Sequence, residues 1–539
     1  MVKVISVTVL PQEEHREELV KARAAALLGC GPQEITALVL HKRSVDARRG
    51  RAKIILRYGA YVGEDPPPSG RGADLPVWKT PGPGAKQAVI VGAGPAGLFA
   101  ALRLLEEGIR PVILEQGKRA EERKRDIAAA GVTGRVDPWS NYCFGEGGAG
   151  TFSDGKLLSR SKKRGNTGRI LAVLHHFGGD ASILTDARPH IGTDRLPPIV
   201  TAITGAICSH GGEVRFQTQC TGFLLGRGRV LGVRARDLAT GGVLEFPADA
   251  VILAPGHSAP RVYAALQEAA VSLGRVSPVL EAKTFACGVR VEHPRRLIDS
   301  IQYRGTGDRA GLPAAEYRLA AQVEGRGVYS FCMCPGGIVV PASSGPEEIV
   351  VNGMSPSGRN TRWSNAGIVV ETRREDCAAF LGFPPGDPRG EDPLVSLTFR
   401  EAVEKRAFRE GEGGKAPAQG LADFLEGRMT SALPRSSFKP GLVPSRLDQW
   451  LPPFIVRRLK KAFREFDRAM GGFVCGEALL IAPETRTSSP VRILRDGGGE
   501  TLPGLFACGE GSGYSGGIVS SALDGENAAA KAAAGMTAG

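Results

Sequence analysis

Three glycines, Gly92, Gly94 and Gly97, stand in the spacing G-x-G-x-x-G within GAGPAG, and an acidic residue, Glu115, follows about 20 residues further on. In that spacing Gly92 permits a tight turn, Gly94 lets the backbone approach a pyrophosphate, and Gly97 lets a helix pack closely on a strand. The helix N-terminus offers free N–H groups and a positive dipole to the phosphates, while Glu115 can accept both ribose hydroxyls, a geometry hostile to a 2′-phosphate. Alone, G-x-G-x-x-G is a weak signal, often no more than a flexible turn. Here residues 88–91 (AVIV) read as a short buried strand, 95–107 as a helix closed by Gly108, and 112–114 as the next strand, ending on Glu115. In that order they imply a dinucleotide site, with FAD and NAD both open.

Further residues could do chemistry. The loop 142–157 (YCFGEGGAGTFSDGKL) has little side-chain cover around its glycines, and 251–258 (VILAPGHS) and 504–524 (GLFACGEGSGYSGGIVSSALD) are strands running into glycine-rich turns. Arg290 and His293 punctuate a strand-like run at 282–294, and Arg486 lies in ETRTSS. A carboxylate substrate would suit Arg290 or Arg486 through bidentate pairing, and His293 could shuttle a proton, although a structural ion pair or a solvated side chain is the ordinary role of each. If the arginines line a substrate site, replacing either with Met should leave folding nearly intact while slowing turnover. Cys332 and Cys334, in SFCMCPGG, raise the idea of a dithiol. The C-x-C spacing argues against it, because the disulfide would be strained. No second Cys pair or close His cluster points to zinc, so no metal site is expected. His257 reads as a packing or capping residue.

These groups must be positioned by a large, soluble framework. The 539 residues allow about three or four domains. Seventy-three Gly and 37 Pro without a collagen period indicate many tight turns and close backbone approaches. Residues 1–63 read as a small α+β unit and 64–85 as a Pro/Gly-rich linker. The fingerprint opens a dinucleotide-binding part at 86–280, which resumes at 486–539, with 281–485 as an inserted domain. The formal charge of +13 suits an anionic partner, but the basic runs at 48–53, 160–164 and 457–461 are far apart and lack interleaved aromatics, which disfavours nucleic acid. Ten scattered cysteines resemble reduced thiols, no stretch reaches the ~18 apolar residues of a membrane helix, and a cytoplasmic location is expected.

The segments YCFGEGGAGTFSDGKL, RPHIGTDRL, EAKTFACGVRVEHP, GVYSFCMCPGG, ETRTSSPVRI and CGEGSGYSGGIVSSALDG resemble the bacterial uncharacterised FAD-dependent dehydrogenases, two-dinucleotide-type flavoproteins of the glutathione reductase fold. The resemblance implies an α/β fold: a Rossmann-like FAD-binding domain, an inserted substrate or cap domain, and the small N-terminal domain. It implies FAD as cofactor, with Gly92, Gly94, Ala96 and Gly97 on the pyrophosphate and Glu115 on the adenosine ribose. Cys220 would meet adenine through its backbone, where Val is commoner, and Gly148, Ala149, Gly150 and Thr151 would run along the ribityl and pyrophosphate side. Gly509 and Glu510 would lie by the ribityl chain, Glu510 standing where many relatives have Asp, and Gly517 and Ile518 would donate N–H groups to the pyrimidine edge of the ring. The function so implied is an oxidoreductase, a dehydrogenase or reductase of an unidentified small molecule, with an unidentified electron donor or acceptor. A flavoprotein that binds or modifies RNA and a non-catalytic flavin redox sensor are the alternatives. Outside the glycine-rich segments 142–157 and 504–524, no second G-x-G-x-x-G accompanies the first, and the sequence names neither substrate nor oligomeric state.

Overall fold

The computed structural model describes residues 2–48, 51–66, 75–157, 165–304 and 311–537. The basic run at 160–164, Arg49 and Gly50 of the run at 48–53, and residues 67–74 of the expected linker lie outside the described residues.

At the N-terminus, strands Val2–Val9, Lys53–Val62 and Ile35–Asp46 form an antiparallel sheet with Lys53–Val62 in the centre. Helix Glu17–Leu28 covers one face, packing Val20, Ala24 and Ala25 onto Val7, Val9, Ile54 and Leu56. The strand Ile35–Asp46 is not apparent in the sequence, because HKRS interrupts its apolar alternation and most of the strand is only half-buried.

The fingerprint belongs to a five-stranded parallel sheet in the order Leu505–Ala507, Ala250–Leu253, Gln87–Val91, Arg110–Leu114, Glu213–Arg215. Alternation of side chains gives this sheet two buried faces. Ala88, Ile90, Ile113 and Ile252 point toward helices Pro95–Glu106 and Ile518–Thr537. Val89, Val91, Val112, Leu114, Val251 and Leu253 point the other way, onto Phe223, Val230 and Val233 of an antiparallel meander, Thr218–Gly226, Arg229–Asp237 and Val243–Pro247. Three layers result, in a mixed α/β architecture.

Residues between these strands build a seven-stranded sheet in the order Ala320–Val323, Arg326–Cys334, Trp363–Thr372, Phe285–Pro294, Leu479–Glu484, Ala416–Gly420, Leu442–Pro444, antiparallel except for its last pair. All ten residues of the central strand Phe285–Pro294 are buried, with helices Val395–Glu410 and Pro453–Ala469 contributing to the same core. The chain enters and leaves this sheet along a two-stranded antiparallel ribbon, Leu280–Ala282 against Val491–Ile493. Among the described residues no helix is long and apolar enough to cross a membrane.

Candidate functional site

Strand Gln87–Val91 ends at Gly92, whose φ of 106° lies in the region that favours glycine; a Cβ there would meet the Ala254 carbonyl oxygen at 2.3 Å. Helix Pro95–Glu106 begins at Gly94 with Pro at its first position and no side-chain cap, so its first-turn amides are left for another acceptor. Gly94 faces Gly148 across a gap that a Cβ on Gly148 would close to 3.0 Å. Gly148–Gly150 form a short 3₁₀ turn, on which Ala149 is exposed, and a Cβ built on Gly150 would lie 3.5 Å from Ile518 Cγ1. Thr151 is fully buried and its hydroxyl donates to the Glu146 carbonyl at 2.6 Å. Gly509 lies against Ala96, and a Cβ added at Gly517, where φ is 110°, would meet nothing within 4 Å. Gly92, Gly94, Ala96, Gly97, Gly148, Gly150, Gly509 and Ile518 are thus gathered around one cradle, at the C-terminal edge of the parallel strands where α/β sheets bind ligands.

Glu115 is buried at the end of Arg110–Leu114, and its carboxylate accepts from the Ala93, Gly117 and Gly145 amides, each at 2.9 Å. A carboxylate has about four lone-pair sites, so the group can bind the turn and still accept a hydroxyl. The Thr218 amide donates to the Glu115 carbonyl, which places Cys220 two residues into the meander from the same corner. Burial pushes the Cys220 thiol up to about 12, so it is a neutral thiol. Glu510 lies 3.5 Å from His257 Nδ1.

Two residues that the sequence reading passed over hold this cradle. Arg123, fully buried, donates to the Asn141, Tyr142 and Glu146 carbonyls at 2.7 to 2.9 Å and fixes the start of the glycine-rich loop. Asp524 accepts from the Gly509 amide at 2.8 Å and pairs with Arg495 at 2.7 Å, tying the last turn to the C-terminal helix. Neither carries a local sequence signal, since each acts on backbone 15 or more residues away.

Arg290, His293 and Arg486, expected near a substrate, have protein partners instead. Arg290 is fully buried and donates to Glu484 at 3.0 Å, Asn365 and Asn352 at 3.3 Å and the Cys332 carbonyl at 3.2 Å. Arg486 forks onto Glu404 at 3.1 and 2.7 Å and also reaches Glu348 and Ser344, each at 2.6 Å. With a further contact to Ser258 at 3.4 Å, the five guanidinium N–H groups are all committed, leaving none for a carboxylate ligand. His293 is sealed in the core against Phe473, whose carbonyl lies 2.8 Å from Nε2, and burial lowers its pKa to about 4. It is neutral and out of reach of a substrate proton.

That histidine makes the fold acid-sensitive. A folded pKa depressed from 6.5 to about 4 means that the unfolded chain binds the extra proton first, so stability falls as pH drops from 6.5 toward 4. By about pH 5 the loss is about 2 kcal/mol. Urea melts at stepped pH should show this slope, and His293→Gln should remove its share, leaving the part due to His190, whose pKa burial also lowers to about 4.

The comparisons bear on this cradle. Residues 85–133 match the family described as FAD binding domain, 284–487 match FAD-dependent protein, C-terminal domain-like, and 1–61 match a domain of unknown function. An uncharacterized protein of Clostridium beijerinckii is 38% identical over 444 residues, covering 81% of this chain and 79% of its own. Among solved structures, glycerol-3-phosphate dehydrogenase from Bacillus halodurans complexed with FAD is 12% identical with a TM-score of 0.27, covering 54% of this chain and 48% of that one, about half the enzyme's length. Mycobacterium smegmatis Sdh1 in complex with UQ1 is 15% identical with a TM-score of 0.33, covering 84% and 69%. A glycine cradle facing an uncapped helix, matched as an FAD binding domain, and a relative similar over four-fifths of the chain lead to one conclusion: the chain belongs to a family of uncharacterised FAD-dependent oxidoreductases, and its cofactor is FAD.

Proposed function

We infer that the protein is an enzyme, a dehydrogenase or reductase of a small molecule, and that it holds FAD in the arrangement of the glutathione reductase fold. The observation that carries this reading is the meeting of Gly94, Gly148 and Gly150 in front of the uncapped helix Pro95–Glu106, a space that side chains would fill. In this reading Gly92, Gly94, Ala96 and Gly97 bind the pyrophosphate, Glu115 the adenosine ribose, and the Cys220 backbone the adenine. Gly148, Ala149, Gly150, Thr151, Gly509 and Glu510 follow the ribityl side, and Gly517 and Ile518 present amides to the ring. Residues 86–280 and 486–539 form the FAD domain, 281–485 the substrate domain, and 1–63 a separate unit reached through the 64–85 linker. Bound FAD supplies hydride chemistry, so the chain itself has to bind, orient and shield. The substrate is recognised without Arg290, which is fully buried against Glu484, and without Arg486, whose donors are in use. The basic excess gives no support to RNA binding: Arg457 and Lys461 both pair with Glu324 at 2.6 Å.

Glu115→Ala should weaken FAD retention by on the order of 1.5–3 kcal/mol, the range for hydrogen bonds to a charged group. Dialysis followed by chromatography of heat-released cofactor measures it. Unchanged FAD occupancy would remove Glu115 from the ribose. Bleaching of the flavin absorbance under anaerobic addition of candidate metabolites tests the enzymatic reading, and a protein whose flavin no metabolite class reduces would be a carrier or sensor instead.

A further inference from the structure

Strand Arg326–Cys334 pairs regularly with Trp363–Thr372 as far as Phe331 and Gly367, then resumes at Cys334 and Asn365 after a register shift. At this bulge Cys332 has φ 42°, a left-handed conformation costing a non-glycine residue about 1–3 kcal/mol, held only where the surroundings over-determine it. Here they do: Arg290 donates to the Cys332 carbonyl, and the Cys334 thiol lies 3.2 Å from the same oxygen. The bulge delivers both sulfurs to one ammonium, with Lys156 Nζ 3.9 Å from Cys332 Sγ and 3.7 Å from Cys334 Sγ.

Lys156 comes from the far side, from the loop that leaves the Gly148–Gly150 turn. Asp154 Oδ2 lies 2.5 Å from its Nζ, while Asp154 Oδ1, in a side chain 2% exposed, has no hydrogen-bond partner among the described residues. His190 Nε2, 3.9 Å from Asp154, has no hydrogen-bond partner either. Polar groups so deeply placed and unsatisfied point to a small polar guest. The two thiols are also unlike each other. A hydrogen bond from Cys334, together with the Lys156 and Arg290 charges, holds the Cys332 thiol well below the usual thiol range, whereas burial pushes Cys334 up. One is poised as thiolate and the other keeps its proton. Cys332 is half-buried and Cys334 fully buried, so a small oxidant reaches the first before the second.

We propose that Cys332 and Cys334, with Lys156 between them, form a second redox centre that reacts with hydrogen peroxide and closes to a disulfide. The Cys332 thiolate attacks one peroxide oxygen, the O–O bond breaks, and the departing hydroxide takes a proton from Lys156 to leave as water, giving Cys332 sulfenic acid. Cys334 sulfur then displaces the sulfenic hydroxyl, which leaves as a second water with the Cys334 proton, and Lys156 regains its proton from solvent. Two thiols are oxidised and one peroxide is reduced to two waters. A dithiol reductant restores the pair, readily so because a C-x-C disulfide is strained.

The test is peroxide titration of the FAD-loaded protein with peptide mass spectrometry, using exposed Cys208 as the internal control. The peptide carrying Cys332 and Cys334 should lose two hydrogens at least about tenfold faster than Cys208 is oxidised, and dithiothreitol should restore it. Cys334→Ser should stop at a sulfenic acid on Cys332, trapped by dimedone, and Lys156→Met should slow the reaction about tenfold or more. A pair that oxidises no faster than Cys208, or a dimedone adduct absent from Cys334→Ser, would overturn the proposal. FAD content, read from absorbance in the same samples, keeps this outcome separate from any failure of the flavin reading.

Discussion

Arg486→Met should cost the protein about 3–5 kcal/mol of stability, because it leaves the Glu404 carboxylate buried and short of its main partner. Burial works against the charge of Glu404, yet Arg486 and Arg400 hold its carboxyl below the usual range, and Arg400 stands 3.7 Å off as the weaker of the two. Glu348, Ser344 and Ser258 lose a donor at the same time. Domains are stable by only ~5–15 kcal/mol, so a loss of this size is a large fraction of the whole. Arg486→Lys keeps the charge but loses the fork onto Glu404 and should fall between. Guanidinium melts followed by circular dichroism measure the series. A Met variant that melts with the parent but no longer turns over an anionic substrate would return Arg486 to the substrate-binding role its position in the sequence suggests.

Gly525→Ala should destabilise by about 3 kcal/mol and release FAD, the opposite of what helix propensity alone dictates. Gly525 lies inside the C-terminal helix Ile518–Thr537, where Ala would ordinarily gain ~1 kcal/mol over Gly. Its Cβ, however, would stand 2.0 Å from the Ala96 carbonyl oxygen, backbone of the fingerprint helix. The two helices therefore have to move apart, and Ala96 and Gly509, which meet at the cradle, move with them. Gly535→Ala is the control, since a Cβ there meets nothing within 4 Å, and it should be neutral or stabilising by a few tenths of a kcal/mol. Thermal melts and FAD retention on a desalting column decide the pair. Equal behaviour of the two variants would show that the helices tolerate separation.

What was legible in the sequence is what depends on neighbours along the chain. Strand, turn, helix, strand and Glu115 fall within 30 residues, and each reports on the next through periodicity or a turn requirement. The roles of Arg486 and Arg290 were not legible, because their partners Glu404 and Glu484 lie 82 and 194 residues away and only the folded sheet brings them within reach. Position beside the cofactor segments suggested ligand recognition; the finished hydrogen-bond set pairs both guanidinium groups with carboxylates of the protein. The same holds for Cys332 and Cys334, whose spacing argued against joint chemistry until a bulge and a lysine 176 residues away placed them together.

The parallel sheet also imposes an order of events on the ribosome. Gln87–Val91 and the fingerprint helix emerge early, but the edge strand Leu505–Ala507 and the helix carrying Gly525 follow about 400 residues later. At ~5–20 residues per second that is roughly 20 to 80 s during which half of the cradle waits, with the apolar face of helix Pro95–Glu106 uncovered by its final neighbour. A nascent protein arrested before Leu505 should therefore expose this hydrophobic surface to chaperones until the edge strand and the C-terminal helix arrive to cover it.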